Sequence, residues 1–354
     1  MATDGAVGAA TRYACRSARM RANAAPSASS IVMIPSAVLR AARAGFGLRR
    51  GTVRVLSTRF GKVCVAHRDA AGVSQLRLVR EDADTVARLH AEMLWLQHLH
   101  ERHGLSVPAP QRWRTDALVS PRLHAGDGTR WHAVHCKWVP GAHLNRGLRV
   151  RHMARAGALL ATMHDASIDA PPGIAAVRPT WWIPRLFDLA TTLRDLVAGN
   201  VAPPDGVTAT FADALRTAVH RLSTAHDALP TGPACSGLIH TDAHWQNLRY
   251  TQRSVGIVDF EGFGNGRFML DVACLWATVE RRRDGDALLN GLLEGYDRVR
   301  PLQAGYQRDL RVMRAFRRLD YAGWVLSWPR LDREPWGPAL LAEAPAFIES
   351  LLDR

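Results

Sequence analysis

The sequence predicts an α+β protein of two lobes, the first built on a small mixed sheet and the second mostly helical. Three observations predict it. Strand-like runs at Thr52 to Leu56, Lys62 to His67 and Ser74 to Val79 cluster early in the chain. Apolar residues at helical spacing dominate from Arg151 onwards. Within that helical part, residues 237–273 revert to short β-type segments around a polar loop. At 354 residues the chain is long enough to bury a core in each lobe.

Residues 1–33 are rich in Ala, Ser and Arg and carry no apolar stripe, so they read as a disordered basic tail. Their composition also resembles an organelle transit peptide, and a true start at Met20 or Met33 is equally compatible. Order is expected from Pro35-Ser36, with Ser36 capping a helix through Ala44 that Gly45 or Gly47 stops. The three strand-like runs follow, the second and third joined by a turn at Asp69 to Gly72. A helix from Asp84 to Arg102 aligns Val86, Leu89, Met93 and Leu96, with Glu92 at the edge of that face. Gly104 ends it, and Pro108 and Pro110 keep the chain extended. Trp131 to Trp138 reads as a further strand entering Val139-Pro140-Gly141. His132, His135 and Cys136 lie on that run without a fourth ligand nearby and read as strand residues. The first lobe is placed at 34–139 and the second at 140–354.

In the second lobe, Arg151 to His164 carries Met153, Leu160 and Met163 on one face, with His164 suited to the negative helix pole. Helices over 184–198 and 207–227 flank the turn Pro203-Pro204-Asp205-Gly206. Others are predicted at 271–281, 285–298, 304–326 and 338–352, and the basic run Arg311 to Asp320 reads as a solvated face. Trp181, Trp182, Trp324, Trp328 and Trp336 are either packing residues or the wall of a pocket, where an aromatic cage suits a quaternary ammonium.

The net charge of +14 does not signal a nucleic-acid partner. Only Lys62 and Lys137 are lysines, and residues 1–50 hold eight arginines against the single acid Asp4, half of the surplus. No basic motif with interleaved aromatics accompanies them. No apolar run approaches the roughly 18 residues a membrane span requires. Cys15, Cys64, Cys136, Cys235 and Cys274 are odd in number and lack a C-x-x-C pair, as expected of reduced thiols in the cytoplasm.

The chemistry concentrates at 237–273. Leu238-Ile239 enters a loop, Leu248 to Tyr250 leaves it, and a turn returns the chain into Val255 to Val258. At the ends of these segments stand His240, Asp242, Asn247 and Asp259. The Asn247 carbonyl and the Asp259 carboxylate are hard oxygen donors of the kind Mg²⁺ takes alongside phosphate. That leaves Asp242 to accept a proton from an attacking hydroxyl. A rival reading gives zinc to His240-x-Asp242-x-His244 in a metal-dependent hydrolase, but leaves Asn247 and Asp259 without a task.

His240-Thr241-Asp242, Asn247 and Asp259-Phe260-Glu261 together resemble the H-x-D-x-x-x-x-N … D-F/L set of the aminoglycoside phosphotransferase and choline kinase-like family. The resemblance implies a bilobal protein-kinase-like fold and ATP·Mg²⁺-dependent transfer of a γ-phosphoryl group to a small-molecule hydroxyl. It implies that Asp242 is the base, that His240 buttresses its loop, that Asn247 and Asp259 hold Mg²⁺, and that Asp271 anchors the loop from the next helix. It further implies that Arg77, where the family typically has Lys, pairs with Glu92 to clamp the α/β-phosphates. Ser57 to Gly61 is then the loop over the phosphates, and Val139-Pro140-Gly141 a hinge where backbone near Lys137 and Val139 meets adenine. Leu160 to His164 is similar to an L-A-x-x-H element preceding the family's substrate region. Apolar Leu76 and Leu78 aim Arg77 at the nucleotide, whereas Lys62, the competing candidate beside Gly61 on the neighbouring strand, reads as solvated near its strand start. A protein Ser/Thr kinase of the same fold and a catalytically silent nucleotide-binding protein remain as alternatives. The acceptor stays open among small alcohols such as homoserine, choline or a sugar. A polycationic aminoglycoside is disfavoured, because residues 280–354 carry 13 basic against 12 acidic side chains.

Overall fold

Alternation of side chains along neighbouring strands divides the first lobe into two faces. In the computed structural model, residues 35–353 are described apart from 49, 59–60, 145–146, 205–206 and 328–335. The expected basic tail, the centre of the Ser57–Gly61 loop and Trp328 therefore lie outside the described residues. Strands β1 (Thr52–Ser57), β2 (Lys62–Asp69) and β3 (Gly72–Arg80) form an antiparallel meander. β6 (Arg130–Lys137) pairs with β3, and the short β4 (Pro110–Gln111) and β5 (Leu123–His124) pair with β6. Val63, Val65, Leu76, Leu78 and Ala133 face outward onto helix α1 (Ser36–Gly45) through Val38 and Ala42. Burying Leu76 and Leu78 contributes roughly 1.5–3 kcal/mol each. The opposite face carries Lys62, Cys64 and Arg77 and looks toward helix α2 (Thr85–Glu101).

The first helix departs from the reading in one detail. Pro35 takes the N-cap position, Ser36 is already helical, and no side chain caps the turn. Proline at that point restricts the chain before it can curl, which a serine cap is not needed to do.

The second lobe packs α3 (Val150–Asp165), α4 (Ile174–Val177), α5 (Ile183–Leu189), α6 (Thr191–Ala198) and α7 (Ala209–Asp227) around a short hairpin. Thr208 caps α7 by accepting from the Phe211 N–H at 3.1 Å. The helix expected over 184–198 is two, broken at Ala190, whose backbone turns to φ −129° and ψ 76°. That break brings Ala190 and Leu193 against Gly323, where a Cβ would approach Leu193 to 2.8 Å. After the hairpin follow α8 (Phe268–Trp276), α9 (Gly285–Asp297), α10 (Tyr306–Leu326) and α11 (Trp336–Leu352).

The hairpin itself comprises β8 (Leu248–Tyr250) and β9 (Val255–Ile257). Beside it, β7 (Ser236–Ile239) pairs with β10 (Gly264–Arg267), a Gly-Asn-Gly-Arg segment with no strand signature of its own. Gly264 lies where a Cβ would stand 2.3 Å from the Pro179 carbonyl oxygen, so this strand can run there only as glycine. Beyond Val139-Pro140 the chain joins the hairpin directly: Ala142 and Tyr250 exchange backbone hydrogen bonds of 3.1 and 2.8 Å. Gly141 permits this with φ 102°, and a Cβ there would stand 2.6 Å from the Tyr250 carbonyl oxygen. Gly141→Ala is therefore expected to destabilise the protein by about 2 kcal/mol or more in urea denaturation. An unchanged midpoint would show that this crossing yields without cost.

Candidate active site in the interlobe cleft

The loop from β7 to β8 is short and polar, so its backbone needs partners that a strand would otherwise supply. Asp271, in the first turn of α8, supplies them. Its carboxylate, fully buried, accepts from the His240 N–H at 2.8 Å and the Thr241 N–H at 2.7 Å. His164 reaches the same carboxylate through Nε2 at 3.1 Å, while its Nδ1 faces the Tyr296 hydroxyl at 2.9 Å. His164, in the last turn of α3 as read from sequence, therefore also holds Asp271. Thr241 is pinned at φ 71°, a left-handed conformation that costs free energy and turns Asp242 away from the strand direction.

Asp242, His244 and Asn247 are all buried. The Asn247 amide donates to the Asp242 carbonyl oxygen at 3.0 Å, and the Val258 N–H donates to the Asn247 carbonyl at 3.0 Å. His240 uses Nε2 on the Val258 carbonyl at 3.0 Å and Nδ1 on the Asp242 N–H at 3.3 Å. Burial lowers its pKa despite the neighbouring Asp271 and Asp242, so the ring is a neutral brace. With both nitrogens of His240 on backbone, the His240-x-Asp242-x-His244 zinc triad does not assemble. His244 instead caps the turn Trp245–Asn247, accepting from Gln246, and its Nε2 lies 3.3 Å from the Asp242 carboxylate.

Asp259 follows β9 at φ 74°, another left-handed non-glycine residue. It lines a cleft of about 180 Å³ between the lobes with Asn247, Arg77, Glu92, Lys137 and Val139. The sequence-derived candidates for nucleotide and metal thus share one cavity. His240 and Asp242 meet its lining residues Val258 and Asn247 from outside the lining, and Asp271 holds His240. The turn after Asp259 is held from beneath. Arg178 donates to the carbonyls of Glu261 at 2.6 Å and Phe263 at 2.8 Å. The Trp181 indole and the Thr241 hydroxyl reach the Gly262 carbonyl at 2.9 and 3.1 Å. Burial pulls the Arg178 pKa down to about 10.

On the sheet face, Arg77 donates to Glu92 at 2.7 Å and to Glu261 at 2.9 Å, and Lys62 pairs closely with the same Glu261. Lys62 is 9 % exposed, which corrects its reading as a solvated residue. The register explains it: Cys64 opposes Arg77, so Lys62, two residues earlier, shares that face. Burial alone would raise the Glu261 pKa, but Lys62 and Arg77 outweigh it and hold the carboxyl at about 2. Burial also pushes the Cys64 and Cys136 thiols in the cleft up to about 12, leaving neither as a nucleophile.

Arg317 is the largest departure from the sequence reading. Instead of lying on a solvated face it is 1 % exposed, donating to Asp242 at 2.6 Å, Asp320 at 2.7 Å and the Tyr321 hydroxyl at 3.1 Å. Burial works against its charge, yet the surrounding anionic and polar partners raise its pKa above the usual value. The signal was present in the helical stripe Met313, Arg317, Asp320 and Trp324. Among the described residues, tryptophans stack in packing pairs: Trp182 on His226 and Phe316, and Trp324 on Trp336 at 5.9 Å.

The profile of the phosphotransferase enzyme family matches residues 60–316. The chain belongs to that family. The family match takes in the cation face of the sheet, the catalytic hairpin and, at its end, α10 as far as Phe316. Among solved structures, a microcompartment-associated aminopropanol kinase is 23 % identical, with TM-score 0.71 over 86 % of this chain and 93 % of that one. An amicoumacin kinase solved with AMP-PNP and Ca²⁺ is 18 % identical, with TM-score 0.68 over 85 % and 88 %. A spectinomycin phosphotransferase in complex with ADP is 12 % identical, with TM-score 0.65 over 91 % and 99 %. At these identities the likeness establishes the kinase-like α+β bilobal fold. No curated protein sequence matches the chain.

Glu261 gives this phosphotransferase a testable acid limb. Its ordinary pKa of 4.5 falls to about 2 on folding, so the stabilisation is complete above 4.5 and is lost as pH drops towards 2. Glu261→Gln is expected to cost roughly 3–5 kcal/mol at neutral pH, since it takes the carboxylate from buried Lys62 and leaves Arg77 with Glu92 alone. It should also flatten the difference in stability between pH 5 and pH 2, roughly the window of the shift. A variant as stable as wild type in denaturant titration would mean that the network is incidental.

Proposed function

We propose that this phosphotransferase moves the γ-phosphoryl group of ATP to a hydroxyl of a small molecule, with Asp242 as the catalytic base. The observation that carries the reading is the convergence of Asp242, Asn247 and Asp259 at the ends of one hairpin, beside a cleft lined by Arg77 and by Glu261, the partner of Lys62. As the acceptor oxygen attacks γ-phosphorus, its proton passes to the Asp242 carboxylate, the bond to the β-phosphate oxygen breaks, and ADP leaves. Arg77, oriented by Glu92, and Lys62 would hold the non-transferred phosphates, and backbone at Lys137 and Val139 would receive adenine. His240 and Asp271 keep Asp242 in place and take no proton.

Asn247 and Asp259 fit a magnesium ion. With the Asn247 Nδ2 committed to the Asp242 carbonyl, its side-chain oxygen is left for the cleft beside the Asp259 carboxylate, a pair of hard oxygen donors. Mg²⁺ held there would offset phosphate charge during transfer.

The buried cation Arg317 against Asp242 supports a neutral or anionic acceptor over a polycationic one. The same contact favours one second reading, a nucleotide-binding protein without turnover, because Asp242 is already engaged. Free cysteines among the described residues and the need for ATP support a cytoplasmic setting, and no described helix is long and apolar enough to cross a membrane.

Turnover is measured as ADP formation from Mg·ATP with fractionated metabolite pools. Asp242→Asn is expected to lower kcat by about 10²-fold or more while leaving the KM for ATP nearly unchanged. Arg77→Ala and Lys62→Ala should each raise the KM for ATP about ten-fold. Arg317→Met should raise the acceptor KM and spare the ATP KM. A folded Asp242→Asn enzyme with wild-type turnover would remove the base assignment, and ATP binding without turnover on any pool would favour the silent reading.

A further inference from the structure

Away from the cleft, the last turn of α2 and the turn after α3 bring two imidazoles and a carboxylate together. His98 Nε2 lies 3.2 Å from His103 Nε2 and 3.1 Å from Asp169 Oδ1, and His103 Nε2 lies 3.0 Å from the same Oδ1. The Ala166 carbonyl oxygen stands 3.2 Å from His98 Nε2. None of these residues lines the nucleotide cleft.

Hydrogen bonding alone does not satisfy this triangle. A carboxylate only accepts, and a neutral imidazole nitrogen either donates or accepts. His98 Nε2 faces two oxygens, Asp169 Oδ1 and Ala166 O, and so must carry a proton. His103 Nε2 then has two options. Protonated, it sets its N–H against that of His98. Unprotonated, it sets a lone pair against the Asp169 oxygen at 3.0 Å. Either choice leaves one edge repulsive. A cation at the centre resolves all three edges, because both nitrogens and the oxygen then present lone pairs inward, and the Ala166 carbonyl oxygen, 3.2 Å from His98 Nε2, then faces the cation's side as a further oxygen donor.

The dimensions select the cation. Zn²⁺ bonds of about 2.0–2.1 Å in a tetrahedron place ligand atoms roughly 3.3 Å apart, close to the three edges. Two imidazoles with one carboxylate suit zinc and disfavour magnesium or calcium, which take oxygen shells. The His98 side chain is 6 % exposed and stacks on Trp95, which fixes one ligand, while His103 at 21 % and Asp169 at 49 % leave an entry path and room for water.

We propose that His98, His103 and Asp169 form a zinc site that clips the end of α2 to the turn following α3. The clip joins the helix that presents Glu92 to the helical lobe, independently of the nucleotide reading above. His98 lies on the same helix as Glu92, so zinc would fix that helix end without touching the reacting groups.

The test uses tag-free, full-length protein dialysed against chelator and titrated with ZnCl₂ in a calorimeter, with CoCl₂ absorption as a second readout. Wild type should take up one zinc per chain with submicromolar affinity on the order of other two-histidine, one-carboxylate sites. It should also give cobalt d–d bands of a four- or five-coordinate site and melt at a higher temperature with zinc present. His103→Ala and Asp169→Asn, both at solvent-accessible positions, should each weaken zinc by about ten-fold or more with unchanged circular dichroism. Absence of saturable binding at micromolar zinc, or wild-type affinity in both variants, overturns the proposal.

Discussion

One buried carboxylate decides whether the catalytic loop has a shape. Asp271 receives two consecutive backbone N–H groups, from His240 and Thr241, and is itself held by His164. Without it, the first residues of a loop that cannot pair as a strand would be left unsatisfied in a dry interior, at roughly 1–3 kcal/mol per group. With it, Thr241 is forced through the left-handed region and Asp242 turns towards α10. The order of the loop follows, because backbone atoms tie His240 to Val258, Val258 to Asn247 and Asn247 to Asp242. The residues expected to perform chemistry thus depend on one that touches no substrate.

Charge is then balanced rather than free. Lys62 and Arg77 meet Glu92 and Glu261, two cations against two anions in a buried setting. Arg317 meets Asp242 and Asp320 in the same way. Such pairs hold side chains in place, since breaking one strands the other in low dielectric. On the proposed function, an arriving nucleotide would compete with Glu261 for Lys62 and Arg77, and its phosphates would exchange one anionic partner for another.

Much of this was legible in the sequence where spacing and local chemistry act together. His240, Asp242, Asn247, Asp259 and Asp271 sit in one stretch, and alternation along β3 placed Arg77 opposite Leu76 and Leu78. What escaped depends on contacts distant in sequence. Lys62 looks like an exposed strand start until the pairing with β3 puts it on the cleft face. Arg317 looks like one more arginine on a basic helix, and only the packing of α10 over the loop reveals it. Nothing local marks Arg178, whose partners lie 83 and 85 residues away. β10 was invisible because its glycines are required by its neighbours and its own propensity is against a strand.

The most direct test of the central claim is ³¹P NMR of purified protein with Mg·ATP and a fractionated pool of small hydroxyl compounds. A phosphotransferase of the kind argued here produces one new phosphomonoester signal for each ADP formed. Equal amounts of ADP and inorganic phosphate with no phosphomonoester, or release of phosphate from the pool without consumption of ATP, would contradict it.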